Sequence, residues 1–140
     1  MLDKFINNGF KYAATFTKVE PYKKNKYGMI LHTEDDVSEY PGVYIVTKGK
    51  TILKIGECVN LHNRMQNYCN HSGPTNTFVR EGFELGETYD IYYLDCPQIM
   101  VTYGGVETSV GVNYKDLEKK IMDFYLDHND NLPILNKGRC

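Results

Sequence analysis

The chain has 140 residues and a mass of 16.2 kDa, which suits one compact domain, since domains commonly run to ~100–150 residues and a core of that size stands without staples. Apolar residues make up 41%, charged residues 24% and aromatics 13%, a balance that excludes a disordered or fibrous chain. No run approaches the ~18 apolar residues of a membrane span, and MLDKFINNGFKYAATF lacks the continuous apolar centre of a secretory signal, so a soluble cytoplasmic protein is expected. Sixteen basic against eighteen acidic side chains leave a formal charge of -2. There is therefore no global basic field, and a nucleic-acid partner would have to use a local patch.

Residues 1–40 read as an amino-terminal arm or loop, a possible DNA contact, ending in the polar stretch HTEDDVSEY before Pro41. Within it, YKKNKYG sets Lys23, Lys24 and Lys26 between Tyr22 and Tyr27, a mix suited to phosphates and exposed bases. A solvated loop is the plainer alternative. The domain core is expected over 41–140.

GVYIVTKGKTILKIG, residues 42–56, reads as two strands folded on one tight turn. An odd loop centred on Gly49 would oppose Val43 to Ile55 and Ile45 to Leu53, giving one aliphatic face for the core. The same register predicts Tyr44 directly across from Lys54 on the second face, an open face bordered by Gly42 and Gly56. These two have a plain reading as strand-end glycines. Their functional reading is a gap through which backbone reaches a site, and for Gly42 the structural reading is preferred.

A helix is predicted over about 61–70, with Asn60 as N-cap and Leu61, Met65 and Tyr68 as its buried stripe. Arg64 borders that stripe one turn before Tyr68. His62 is a candidate DNA contact, with a solvated helical histidine as the alternative. A loop containing Gly73 and Pro74 follows. TYDIYYLD, residues 88–95, reads as a third strand, and TYGGVETSVG as a long connection. Asn113 caps a last helix from Tyr114 to about His128, with Leu117, Ile121, Phe124 and His128 as its stripe and Glu118 on its flank. Cys58, Cys69, Cys96 and Cys140 show no CxxC spacing, and the quartet Cys58, His62, Cys69 and His71 matches no common zinc pattern, so free thiols are expected.

In this order the residues resemble the GIY-YIG nuclease superfamily. GVY at 42–44 and KIG at 54–56 stand for the two halves of that name, and NLHNR at 60–64 carries the helix arginine. Glu118 matches the family's metal-binding glutamate, and Asn136 in LPILN matches its late asparagine. The similarity spans roughly residues 41–137. One departure is clear: Lys54 replaces the second tyrosine. Some restriction endonucleases of the superfamily are similar in this, with a tyrosine one turn after the arginine, as Tyr68 is here. The resemblance implies an α+β fold, a small three-stranded antiparallel sheet flanked by helices, with the arm and loop insertions added.

It also implies a metal-dependent endonuclease acting on DNA, with Tyr44, Lys54, Arg64, Tyr68 and Glu118 as catalytic residues. Tyr44 would orient and deprotonate the attacking water, with Lys54 favouring its phenolate. Arg64 would clasp non-bridging oxygens, and Tyr68 would hydrogen-bond the phosphate. Glu118 would hold one divalent ion, Mg2+ being the expected species. Asn136 is expected to pin the tail to the helix of Glu118. The partner would be double-stranded DNA, read by the arm and the 71–113 loops and cut on both strands by a homodimer. Two alternatives stay open: a non-catalytic nucleic-acid-binding module, and a structural or protein-interaction domain.

Overall fold

The computed structural model describes residues 1–33 and 37–136; the acidic segment 34–36 and the last four residues, including the Cys140 thiol, lie outside them. A short helix α1 (Leu2–Asn7) leads into strands β1 (Lys11–Lys18), β2 (Met29–Thr33), β3 (Gly42–Lys48) and β4 (Thr51–Cys58). Helices α2 (Leu61–Asn70) and α3 (Pro74–Gly82) follow, then β5 (Thr88–Asp95), β6 (Gln98–Tyr103), β7 (Val106–Gly111) and α4 (Tyr114–His128).

The main sheet has five strands in the order β2-β1-β5-β3-β4, and every pairing is antiparallel. The expected three strands are its β5-β3-β4 part. The other two come from the segment read as an arm. KYAATFTK hides its alternation because the β1–β5 register shifts between Tyr12 and Ala14, which brings the consecutive alanines Ala13 and Ala14 both into the interior.

TYGGVETSVG is likewise not an irregular connection. It closes a separate two-stranded hairpin, β6-β7, whose turn residues Gly104 and Gly105 sit at φ 62° and 82°, as the tight primed hairpin turns demand. The loop expected after residue 70 contains α3, with Pro74 in its first turn and Val79 and Arg80 turned inward.

The β3–β4 register differs from the expected one. The turn holds two residues, Gly49 and Lys50, with Gly49 at φ 59°. A bulge between Val46 and Thr47 then skips Leu53, so Ile45 faces Ile55, Val46 faces Lys54 and Tyr44 faces Gly56. The bulge resolves a conflict: a two-residue turn alone would mix polar and apolar residues on both faces, and one extra residue on β4 realigns them.

One face of the sheet gathers Val43, Ile45, Ile52 and Ile55 with Leu2 and Phe5 of α1 and Ile121 and Met122 of α4. The other gathers Phe16, Tyr44, Val46 and Ile91 with Leu61, Met65 and Tyr68 of α2 and Val79 of α3. On α4, Leu117 and Phe124 pack at the edge of the first cluster, whereas His128 is exposed at the helix end with its ring 4.9 Å from that of Phe124. No helix among the described residues is long and apolar enough to cross a membrane.

Candidate active site

Tyr44 and Tyr68 meet because a strand and a helix converge on the same sheet face. Both helix starts are fixed as the sequence suggests: the side chain of Asn60 accepts from Asn63 N at 2.9 Å, and that of Asn113 from Asp116 N at 3.2 Å. The backbone N–H groups of Leu61 and His62 also donate to the carbonyls of Tyr40 and Ser38. Capping at Asn60 sets the turn in which Arg64 points back across the sheet. The hydroxyls of Tyr44 and Tyr68 then share a hydrogen bond of 2.7 Å, and the Arg64 guanidinium carbon lies 5.9 Å from the Tyr44 ring centroid.

This face is not open, as its polar residues suggested; α2 covers it. Tyr44 and Tyr68 are each 1% exposed and Lys54 7%. Burial pushes the Tyr44 phenol up to about 12, although Arg64 and the hydrogen bond from Tyr68 pull it down. Tyr68 is raised well above the usual phenol range, first by burial and then by Tyr44. Burial thus works against the Tyr44 phenolate, and the register corrects the expectation that Lys54 stands directly opposite it. Lys54 faces Val46, two residues along from Tyr44 on the same side of the hairpin. Burial works against the Arg64 charge, yet Tyr44, Tyr68, Cys58 and Glu57 hold its pKa above the ordinary value.

Gly56 is where the strand backbone packs most closely on Tyr44. It stands half-buried opposite Tyr44, and a Cβ there would lie 2.6 Å from both Cζ and the hydroxyl oxygen of Tyr44. The Tyr44 hydroxyl therefore sits directly against bare backbone, close to half-buried Arg64. Gly42 answers a different need, since a Cβ there would meet Leu94 O at 2.4 Å and Leu61 Cδ1 at 2.8 Å. It lets β5 and α2 close on β3.

Asn136 does not bind α4. Its side chain accepts from Ile55 N at 3.0 Å and donates to Ile55 O at 2.8 Å, while Leu135 N donates to Leu53 O at 2.8 Å. The tail thereby occupies the outer edge of β4 along Leu53 to Ile55, satisfying backbone groups that an edge strand would otherwise leave free. Glu118 lies half-buried on α4, which packs on β4 and β3 from the other face. Glu118 thus lies on the opposite face of the sheet from α2, Tyr44 and Tyr68, and is not brought into contact with them.

Among the described residues no three His, Cys, Asp or Glu side chains are grouped to hold a metal ion. A cation at Glu118 would take one hard oxygen donor from the protein and fill its other positions with water and phosphate, a donor set that Mg2+ accepts and zinc seldom does. Cys58 is buried, and burial pushes its thiol up to about 11.

The lysine patch forms the β1–β2 turn, closed by a bridge between Tyr22 and Asn25. Lys23, Lys24 and Lys26 are exposed. Beneath them the Arg80 guanidinium stacks 4.3 Å from the Tyr27 ring centroid and donates to the carbonyls of Tyr68 and His71 at 3.0 and 2.8 Å. The turn is thus tied to the end of α2 that carries Tyr68. His62 is half-buried in the first turn of α2, two residues before Arg64. Arg80 and Glu57 were not anticipated. Arg80 joins the lysine turn to the tyrosines, and Glu57, next to Gly56, acts electrostatically on both Tyr44 and Arg64. Its position directly after KIG was the available signal.

Two of the solved structures that share this fold are nuclease structures by their names. Bacteriophage T4 EndoII, in a mutant form, superposes with a TM-score of 0.61 at 14% identity, over 96% of this chain and 98% of that one. The restriction endonuclease HPY188I, in complex with product DNA, gives 0.55 at 17% identity, over 98% of this chain and 85% of that one. No family model matches the sequence, nor does any curated protein.

Proposed function

We propose that the chain is a metal-dependent endonuclease that hydrolyses DNA phosphodiester bonds, of the restriction type within the GIY-YIG superfamily. The observation that carries this reading is the Tyr44–Tyr68 hydroxyl pair, bonded at 2.7 Å, with Arg64 beside it and a glycine as its wall. A buried phenol pair is a costly way to build a core when phenylalanine would serve. It is well explained as a preorganised site. That both fold neighbours are by name an endonuclease, one of them holding product DNA, supports the substrate class.

In this reading the scissile phosphate sits over Gly56. Arg64 holds its non-bridging oxygens with planar paired donors, and Lys54 adds positive charge from below. Tyr44 orients the water and, in its minor phenolate form, accepts the water proton as the water oxygen bonds phosphorus and the bond from phosphorus to the departing 3′ oxygen breaks, with Tyr68 donating the shared hydrogen bond to that phenolate. A phenol near 12 leaves only about one molecule in 10⁵ ionised at pH 7, so the rate should climb as pH rises. Glu118 would hold the divalent ion, which when bound offsets charge on the phosphate and on the departing 3′ oxygen. Lys23, Lys24, Lys26 and His62 would follow the flanking backbone, and a homodimer would cut both strands.

The experiment is incubation with plasmid and genomic DNA in Mg2+, with and without a chelator, beside Glu118→Ala. Discrete fragments that vanish with the chelator, and a loss of about 100-fold or more in Glu118→Ala, are expected. Undiminished cleavage by Glu118→Ala would overturn the metal assignment. The near-complete burial of Tyr44 and Tyr68 favours one second reading, a module that binds DNA without cutting it; DNA retained intact in Mg2+ would establish that instead.

A further inference from the structure

Helix α2 supplies neither of the usual stops at its carboxyl end. Its last turn has no basic residue, and the capping residue His71 is extended rather than a glycine in the left-handed region. The missing partner comes from the next helix. Arg80 of α3 donates one guanidinium nitrogen to two carbonyls, Tyr68 O at 3.0 Å and His71 O at 2.8 Å, and so brings a positive charge to the negative end of α2.

Arg80 is only 6% exposed, and among the described residues no carboxylate pairs with it. Its guanidinium is stacked instead on Tyr27, 4.3 Å from the ring centroid, and its own carbonyl accepts from the Lys18 ammonium. Burying a charge is costly unless such contacts replace water. Val79, its neighbour in the chain, is fully buried, so an aliphatic side chain suffices to pack α3 on the core. Arginine at position 80 needs a further reason.

Tyr68 supplies that reason. Arg80 holds its carbonyl at one end, and at the other its hydroxyl bonds that of Tyr44 at 2.7 Å. Pinning the backbone of a buried residue fixes where its ring points. We propose that Arg80 is a positioning residue for the Tyr44–Tyr68 pair. Through the Tyr68 carbonyl it sets the ring that meets Tyr44, and Tyr27, stacked on the guanidinium, joins this clamp to the lysine turn. The turn then braces the site as well as carrying Lys23, Lys24 and Lys26. Lysine could not stand in, since its ammonium has neither the planar fork nor the stacking face.

Arg80→Lys and Tyr27→Ala, each confirmed folded by circular dichroism, test this. The effect on rate rests on the hydrolysis proposed above, so a second readout observes the pair without DNA. In protein labelled with 13C at tyrosine Cζ, the signals of Tyr44 and Tyr68, assigned with Tyr44→Phe and Tyr68→Phe, should move in both variants. The signal of Tyr103, on the β6-β7 hairpin, should stay. In single-turnover cleavage at saturating duplex, Arg80→Lys should be slower by about 10- to 100-fold, with duplex affinity within about twofold of the parent. Placed in Tyr68→Phe it should add less than about twofold, because its action runs through that side chain. Unmoved Tyr44 and Tyr68 signals in Arg80→Lys would overturn the inference whether or not the protein cuts DNA. So would weakened duplex affinity with an unchanged rate at saturation, or a full additional loss in the Tyr68→Phe background. An unchanged spectrum in Tyr27→Ala would overturn the link to the lysine turn. Moved signals in a parent that does not cleave would uphold Arg80 as the positioning residue and refute the hydrolysis instead.

Discussion

Gly56→Ala is the sharpest perturbation of the site. The added Cβ would lie 2.6 Å from Tyr44 Cζ and its hydroxyl oxygen and 2.9 Å from Cε1, inside the distance any real Cβ keeps. Tyr44 is fully enclosed, so its ring has no empty space to enter and must tilt against β4 or α2. Overpacking of this kind costs about 1–3 kcal/mol. Tilting also breaks the 2.7 Å bond to Tyr68, and a buried hydroxyl left without a partner costs about 1–3 kcal/mol more. The φ of Gly56 is not in the left-handed region, so alanine gains back about 0.4–1 kcal/mol by restricting the unfolded chain. The net expectation is a loss of about 2–4 kcal/mol. Urea unfolding followed by circular dichroism measures it. Gly49→Ala is the comparison, because its φ is 59° but nothing lies within 4 Å of the new carbon; its cost should be only the left-handed strain, about 1–2 kcal/mol. A Gly56→Ala protein within 0.5 kcal/mol of the parent would refute the packing described here.

The tyrosine pair should be energetically coupled: Tyr44→Phe and Tyr68→Phe each leave one buried hydroxyl unpaired and should cost about 1–3 kcal/mol, while the double variant costs less than their sum in a urea double-mutant cycle. Burial holds the Tyr44 phenol at about 12 when folded, against about 10 unfolded, so this group's contribution is intact below pH 10 and is lost as pH rises from 10 through 12. That loss is on the order of 2–3 kcal/mol, and Tyr44→Phe should flatten the alkaline limb of a stability–pH curve. Asn136→Ala removes both bonds to Ile55 and should cost about 1–2 kcal/mol, with faster amide exchange at Ile55 by hydrogen–deuterium exchange. If cleavage uses the Tyr44 phenolate, its rate should rise close to tenfold per pH unit between 7 and 9, and a flat profile would remove that role.

Much of the site's frame could be read from the residues because it is local. Asn60 and Asn113 cap the helices they were expected to cap, and Leu61, Met65 and Tyr68 are the buried stripe of α2. TYDIYYLD alternates buried and half-buried residues along β5 as its pattern suggests. What escaped depended on partners distant in sequence. The bulge at Leu53 decides whether Tyr44 faces Lys54 or Gly56, and it is favoured by the two cores the hairpin separates rather than by the hairpin alone. β1 pairs with β5, some seventy-five residues away for Thr15 and Asp90, a contact no local pattern encodes, and β2 joins the sheet only through β1. α3 begins at a glycine without a side-chain cap, and so lacked the usual start signal. The burial of Tyr44 was missed because α2, from the following segment, lies over it. The glycine pair of the β6-β7 turn, by contrast, was a legible hairpin sign.

The most direct measurement is single-turnover cleavage of duplex DNA in Mg2+ by the parent and by Tyr44→Phe, both shown to be folded and to bind the duplex equally. The account predicts cleavage by the parent and a fall of about 100-fold or more in the variant. Equal rates for the two proteins would contradict it.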